Sequence, residues 1–213
     1  LLHEYFGKDG REEAEDMLHR RSGSEDSPRI LEAFNKPIED WLSFFCFTMF
    51  TDRDGKFQLG ALAESAFDPL SRATKFMLTE EAHHLFVGDT GIARVIKKTA
   101  DLMREHPDRD VKDFGAIPLS LLQKYFNEWY SASQDLFGSE DSSNSANYFA
   151  AGLKGRFGET DGRSYTDHVA LEGCRELKWA ENGVLVNHEI PLRRAMNLEL
   201  ADTYRRDCEK ALN

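Results

Sequence analysis

Residues 76–88 read FMLTEEAHHLFVG, and how this stretch lies on a helix decides the reading of the chain. It holds Glu-x-x-His twice, Glu80 with His83 and Glu81 with His84, one copy overlapping the other. A carboxylate and an imidazole one helical turn apart can share a metal ion, which is how helix bundles hold iron. A helix turns about 100° per residue. With Glu81 at zero, Met77, Leu78, Leu85, Gly88, Ile92, Val95 and Ile96 fall within roughly 60° of it, and His84 lies at the edge of the same stripe. The face centred on Glu80 and His83 runs on through Arg94, Lys98 and Asp101, which belong in water. Glu81 and His84 are therefore the inward pair.

A buried carboxylate is costly unless a cation or hydrogen bonds compensate it, so Glu81 needs a partner. The preceding apolar run, from Ile38 to about Asp52, supplies one. With Asp52 at zero, Ile38, Trp41, Phe45, Thr48 and Met49 lie on its side, followed by Leu59 and Ala63 if the helix continues. Asp52 stands 29 residues before Glu81, a spacing that suits two antiparallel helices with a short link. Asp52, Glu81 and His84 can then meet in one bundle layer. Two oxygen ligands and one imidazole suit iron or manganese better than a soft metal. The plain reading of the same residues stays open. A chain this long holds on the order of one Glu-x-x-His by chance, Asp52 can cap a turn at Asp54-Gly55, and His84 can be a hydrogen-bonded core histidine. A calcium loop at DRDGK is excluded, because Lys56 stands where an oxygen ligand is needed and the glycine is misplaced. His3, His19, His106, His168 and His188 are scattered on charged or loop segments and read as surface residues.

The chain around these residues has 213 positions, enough for one domain with a sizeable core. Hydrophobic content is 40% and charged content 31%, an ordinary globular composition. The net charge of −11 argues against nucleic acid or an anionic membrane surface as the main partner. Cys46, Cys174 and Cys208 are far apart and odd in number, which argues against a disulfide scaffold or zinc ribbon and fits a reducing cytoplasm. The longest apolar run, Trp41 to Phe50, is about half of what a bilayer needs.

The remaining pattern is mostly helical. GREEAEDMLHRR at 10–21 reads as a short charged helix, and Ser27-Pro28 as a helix entry. Asp54-Gly55 reads as a break or kink, with helical patterning resuming through GKFQLGALAES. Asp68-Pro69 opens the helix that carries TEEAHH to about Arg104, with a possible kink at Gly88 or Gly91. HPDRD is a loop, Ile117-Pro118-Leu119 opens a helix through Phe137, and EDSSNSANYFAAGLKGR reads as a capped helix ending in a Gly-rich loop. CRELKWAENGVLVNHEI, near 174–190, is a β-hairpin with Asn182-Gly183 at its turn. A last helix covers 191–212. The chain opens on LLHEYF, which reads as the middle of an apolar helix, and closes on the helical TYRRDCEKALN. The expectation is one domain over residues 1–213, a fragment truncated at both ends.

Beyond spacing, the strings GREEAEDMLHRRSG, PRILEAFN, DWLSFFCFTMFTDRDGKFQL, ALAESAFDPL, FMLTEEAHHLFVG, DLFGSEDSSNSANYFAAGLKGR and IPLRRAMN resemble the ferritin-like di-iron oxygenases that epoxidise benzoyl-coenzyme A. TDRDGK and FMLTEEAHH are the most specific, and the resemblance covers essentially all of the chain. It implies a mostly α, ferritin-like bundle, incomplete here, with a non-haem centre of two irons. The family's second ligand set, an aspartate and a Glu-x-x-His about thirty residues on, matches Asp52, Glu81 and His84. Its first set, on two earlier helices, has no counterpart in this chain. The resemblance further implies oxygen addition across the 2,3 bond of the benzoyl ring, using dioxygen. Electrons would come from a separate NADPH-dependent flavin and iron–sulfur reductase. This chain itself shows no Gly-rich dinucleotide fingerprint. Phe45, Met49, Leu78 and Leu85 are placed to wall such a site or simply to fill the core. SSNSANYF could meet the coenzyme A tail or the reductase, or supply caps and turns; the basic residues around GLKGRFG could meet the 3′-phosphate of coenzyme A, or form a solvated face. Two alternatives remain: a related di-iron oxygenase for another aryl thioester, and a non-catalytic iron-binding helical module.

Overall fold

Helices account for most of residues 2–137 and 174–213, the part of the chain that the structure, a computed structural model, describes. The chain divides into two units, Leu1–Pro37 and Ile38–Asn213.

In the first unit the charged run at 10–21 belongs to a longer helix, α1 (Leu2–His19), broken at Gly7, where φ is 63°. Glycine takes that left-handed conformation without the clash a Cβ would bring, so LLHEYF and the charged run form two helical pieces. Ser27-Pro28 does not open a helix; bends lead instead to a short 3₁₀ turn, Glu32–Asn35. The Asn35 amide explains the difference. Its Oδ1 accepts from the backbone N–H of Arg29 (2.8 Å) and Gly23 (3.1 Å), and its Nδ2 donates to the Arg29 carbonyl (2.8 Å). Those local bonds compete with a helical ladder.

The second unit begins where Asp40 caps α2 (Trp41–Cys46), accepting from the Ser43 N–H at 2.7 Å. The same carboxylate accepts from the Tyr125 hydroxyl at 2.7 Å. The Ser43 bond first, and the Tyr125 bond next, hold Asp40 below the usual carboxylate range. From α2 the chain passes without a loop into a π-helical turn, Phe47–Thr51, whose wide hydrogen bond runs from the Asp52 N–H to the Phe47 carbonyl. It continues as α3 (Asp52–Ala63). Asp54-Gly55 is therefore no break: both residues lie inside α3. The antiparallel return is α4 (Asp68–Glu105), 38 residues long, with Pro69 in its first turn.

Neither Gly88 nor Gly91 kinks α4. They are close-approach glycines: a Cβ on Gly88 would stand 2.6 Å from the Met49 backbone nitrogen, and one on Gly91 would stand 2.4 Å from the Phe45 ring. A 3₁₀ turn, Val111–Phe114, leads to α5 (Leu119–Asp135), and Thr99 ties α4 to the connection by donating to the Ile117 carbonyl at 2.7 Å.

The core gathers Leu42, Cys46, Met49 and Phe50 from α2 and the wide turn, Ile92 from α4, Leu122 and Trp129 from α5, and Tyr204 and Cys208 from the last helix, α6 (Leu192–Leu212). Phe47 meets Trp129 edge-to-face at 5.7 Å, and Tyr204 stacks on Tyr130 while its hydroxyl donates to the Phe50 carbonyl at 3.2 Å. Before α6, β1 (Cys174–Glu181) and β2 (Val184–Pro191) pair antiparallel, Cys174 opposite Pro191 and Glu181 opposite Val184. The turn is the expected Asn182-Gly183, both residues at positive φ, 51° and 81°, as a two-residue hairpin of matching twist requires. The fold is thus mostly α with a β-hairpin, as the pattern predicts. The expected helix at EDSSNSANYFAAGLKGR and the GLKGRFG loop lie outside the described residues. Among the described residues, no helix is long and apolar enough to cross a membrane.

Candidate metal centre

Three side chains from α3 and α4 converge: Asp52, Glu81 and His84, with one ligand atom from each lying within 4.8 Å of the others. Asp52 is the first residue after the wide turn; Glu81 and His84 are one turn apart on α4. His84 Nδ1 is 3.6 Å from Asp52 Oδ2 and 3.6 Å from Glu81 Oε2. Both distances exceed a good hydrogen bond. Glu81 Oε2 is buried and has no hydrogen-bond partner. The Asp52 and Glu81 side chains are 15% and 18% exposed, whereas that of His84 is 45% exposed. The cluster is therefore closed on its carboxylate side and open beside the imidazole.

Electrostatics match this geometry. Burial first, and the neighbouring Glu81 charge second, push Asp52 up to about 7, with His84 opposing. Burial also raises Glu81, again against His84. Two desolvated carboxylates and a ring nitrogen face one space, at distances longer than a good hydrogen bond. A proton or a metal cation placed there relieves both the repulsion and the orphaned oxygen. Oxygen and imidazole donors fit iron or manganese, so the residues present fit the metal that the sequence implies. Among the described residues this is the one cluster of three or more such side chains with that spacing.

Glu80 and His83 are exposed, on the outer side of α4. Among the described residues, His3, His19, His106 and His188 join no such cluster: His3 bonds to the Gly7 carbonyl, His106 stacks on Phe114, and His188 stacks on Trp179. His168 lies outside the described residues.

The face expected for Asp52 needs correction. Trp41 is 74% exposed and Ile38 44% exposed, while Thr48 and Met49 are buried. For Trp41 the wide turn is the reason: an i→i+5 bond adds a residue to the turn, so a face extrapolated at 100° per residue loses phase across it; Ile38 precedes the Asp40 cap and lies outside the helix. Of the residues expected to wall the site, Met49 is buried in the core, Phe45 packs over Gly91, and Leu78 and Leu85 are half-buried on α4.

Sequence reasoning passed over the two residues that follow Asp52. Arg53 is buried, donating from Nε to the Met49 carbonyl and from its two terminal nitrogens to Asp89 on α4 and Asp207 on α6. Asp54 is 3% exposed; burial raises it to about 7, opposed by a 3.4 Å bond from Gln58. The signal is present in TDRDGK, where four charged residues, Asp52, Arg53, Asp54 and Lys56, continue an apolar helical run.

No family model matches the chain. The chain is, however, 51% identical over 216 residues to benzoyl-CoA oxygenase component B of Aromatoleum evansii. The likeness takes in the whole chain. It bears out the resemblance read from the sequence strings. The chain spans 45% of that relative's length.

Proposed function

We propose that this chain is the part of a benzoyl-CoA oxygenase that holds iron through Asp52, Glu81 and His84. The observation that carries the reading is the convergence of these three side chains around the unpartnered Glu81 Oε2, in a chain 51% identical to an oxygenase component. In this reading the bundle is ferritin-like, the complete centre holds two irons, and further ligands come from elsewhere in a protein as long as the relative. We place the enzyme in the cytoplasm, fed by a separate NADPH-dependent reductase with flavin and iron–sulfur groups. When bound, the iron pair supplies two-electron activation of dioxygen, so that one oxygen adds across the 2,3 bond of the benzoyl ring and the other leaves as water.

The chain's own residues do the rest. Asp52 and Glu81 hold the positive charge from the buried side. Burial favours neutral Asp52, and a dication reverses that preference, so metal uptake releases a proton. His84 binds through Nδ1, the ring nitrogen turned toward both carboxylates. Burial of the Asp52 and Glu81 side chains keeps water from that side of the site.

The test is Asp52→Ala and His84→Ala in the full-length protein to which this chain belongs. Each should lose most of the bound iron and benzoyl-CoA-dependent oxygen consumption. Wild-type iron content and turnover in either variant would sink the reading. Iron uptake without thioester-dependent oxygen consumption in the wild type would favour a binding module instead. A panel of aryl and arylacetyl thioesters then identifies the substrate.

A further inference from the structure

The residue next to Asp52 is bonded to three structural elements at once. Arg53 Nε donates to the Met49 carbonyl at 3.1 Å, within the wide turn. Nη2 donates to Asp89 Oδ1 and Oδ2 at 2.6 and 2.8 Å, on α4. Nη1 donates to Asp207 Oδ2 at 2.7 Å, on α6. Lys56 Nζ, one turn further along α3, reaches the same Asp207 oxygen at 3.1 Å. Two cations thus meet two anions, and the guanidinium is buried with its charge matched, as a buried charge requires.

The position of this junction matters more than its charge. Asp89 follows His84 by five residues, about 7.5 Å along α4 at 1.5 Å per residue. Arg53 follows Asp52 directly. The link therefore clamps the two helices that carry the three converging side chains, one and a half turns from where they meet. It also grips a carbonyl of the turn that sets the direction of Asp52.

We propose that Arg53 is a positioning residue for the metal centre: by bonding Met49, Asp89 and Asp207 together it fixes the register and rotation of α3 against α4 that bring Asp52 to Glu81 and His84. The inference rests on the metal reading above. The planar fork of arginine serves three acceptors in three directions, and a lysine ammonium on a flexible stem cannot. A ligand set must be held to within about half an ångström to bind its metal well. Loosening the clamp spoils that geometry without removing a ligand.

The experiment is titration of the metal-free full chain with Co(II), whose visible absorption reports coordination geometry, in wild type, Arg53→Lys, Asp89→Asn, Thr99→Val and Asp52→Ala. Thr99 bonds to the Ile117 carbonyl 15 residues beyond His84 on α4, so its substitution destabilises the same helix far from the ligands. Arg53→Lys and Asp89→Asn should bind Co(II) at least about tenfold more weakly, the scale seen when supports of metal ligands are lost, with altered absorption bands. Thr99→Val should lose thermal stability while keeping wild-type affinity and spectrum. Wild-type affinity and spectrum in both Arg53→Lys and Asp89→Asn would overturn the proposal. So would equal weakening in Thr99→Val, which would show only general loosening. Should Arg53→Lys fail to fold, Asp89→Asn decides. Undiminished binding by Asp52→Ala would instead overturn the metal reading, and this inference with it.

Discussion

Cys46 and Cys208 sit in the core, Cys174 on the exposed edge of β1. Burial first, then the charge of Asp40, pushes the Cys46 thiol up to about 12; burial lifts Cys208 to about 11. Thiolate is the reactive form; burial first, then the Glu189 charge, raises Cys174 as well, but its side chain is exposed, so in the native protein at pH 8 a thiol reagent should label Cys174 before the other two, which react only as the protein unfolds. Rapid labelling of two cysteines would contradict the packing. The same shifts set a stability prediction. Both thiols have folded values above the ordinary 9.0, so the native state prefers them neutral. Their contribution is complete below pH 9 and is lost as pH rises from 9 toward 12. Each should lower stability by about 1.4 kcal/mol per pH unit across its own interval. The urea midpoint should therefore drop above pH 9, and Cys46→Ala should flatten that drop.

Helix spacing is set by glycines on α4. A methyl on Gly88 meets backbone, the Met49 nitrogen at 2.6 Å, as well as the Thr48 hydroxyl at 2.7 Å. Backbone does not swing aside, so Gly88→Ala should destabilise by about 1–3 kcal/mol, the usual cost of overpacking. On α3, Gly60 has nothing within 4 Å of an added Cβ. There the alanine gain in helix propensity should show alone, about 0.5–1 kcal/mol of added stability. Urea denaturation of the two variants measures both, and equal effects would refute the close approach. These glycines also show what was legible in the sequence. Glu81 and His84 share one unbroken helix, so 100° per residue puts them on the side where Asp52 stands, although Met77, assigned to the same stripe, is exposed. The hairpin was legible because Asn-Gly fixes its turn chemistry. The wide turn was not: an i→i+5 bond from the Asp52 N–H to the Phe47 carbonyl leaves no mark in composition. Asp52 was found as a carboxylate ending an apolar run, but Ile38 and Trp41 were wrongly assigned to its side. Arg53 and Asp54 were passed over because Asp54-Gly55 looks like a turn, and only the packing of α4 and α6 buries it.

Across the whole molecule, ligand supply limits what residues 1–213 can bind. The described residues bring together one cluster, three ligand side chains from two helices. A di-iron centre in a helix bundle uses about six, from four helices. His84 is half-exposed, so the open side of the cluster faces outward rather than toward a second ligand set among these residues. Trp41, Phe76 and Phe86 are also exposed, at 74%, 70% and 66%, and large bare apolar side chains favour association. Residues 1–213 expressed alone should therefore bind no more than about one iron per chain and tend to self-associate. The same sequence within a protein as long as the oxygenase component it resembles should bind two. Iron content by elemental analysis, beside mass by light scattering, checks both halves. A monomeric 1–213 that binds two irons would show that a second ligand set lies within this chain, where residues 138–173 still hold Glu140, Asp141, Glu159, Asp161, Asp167, His168 and Glu172.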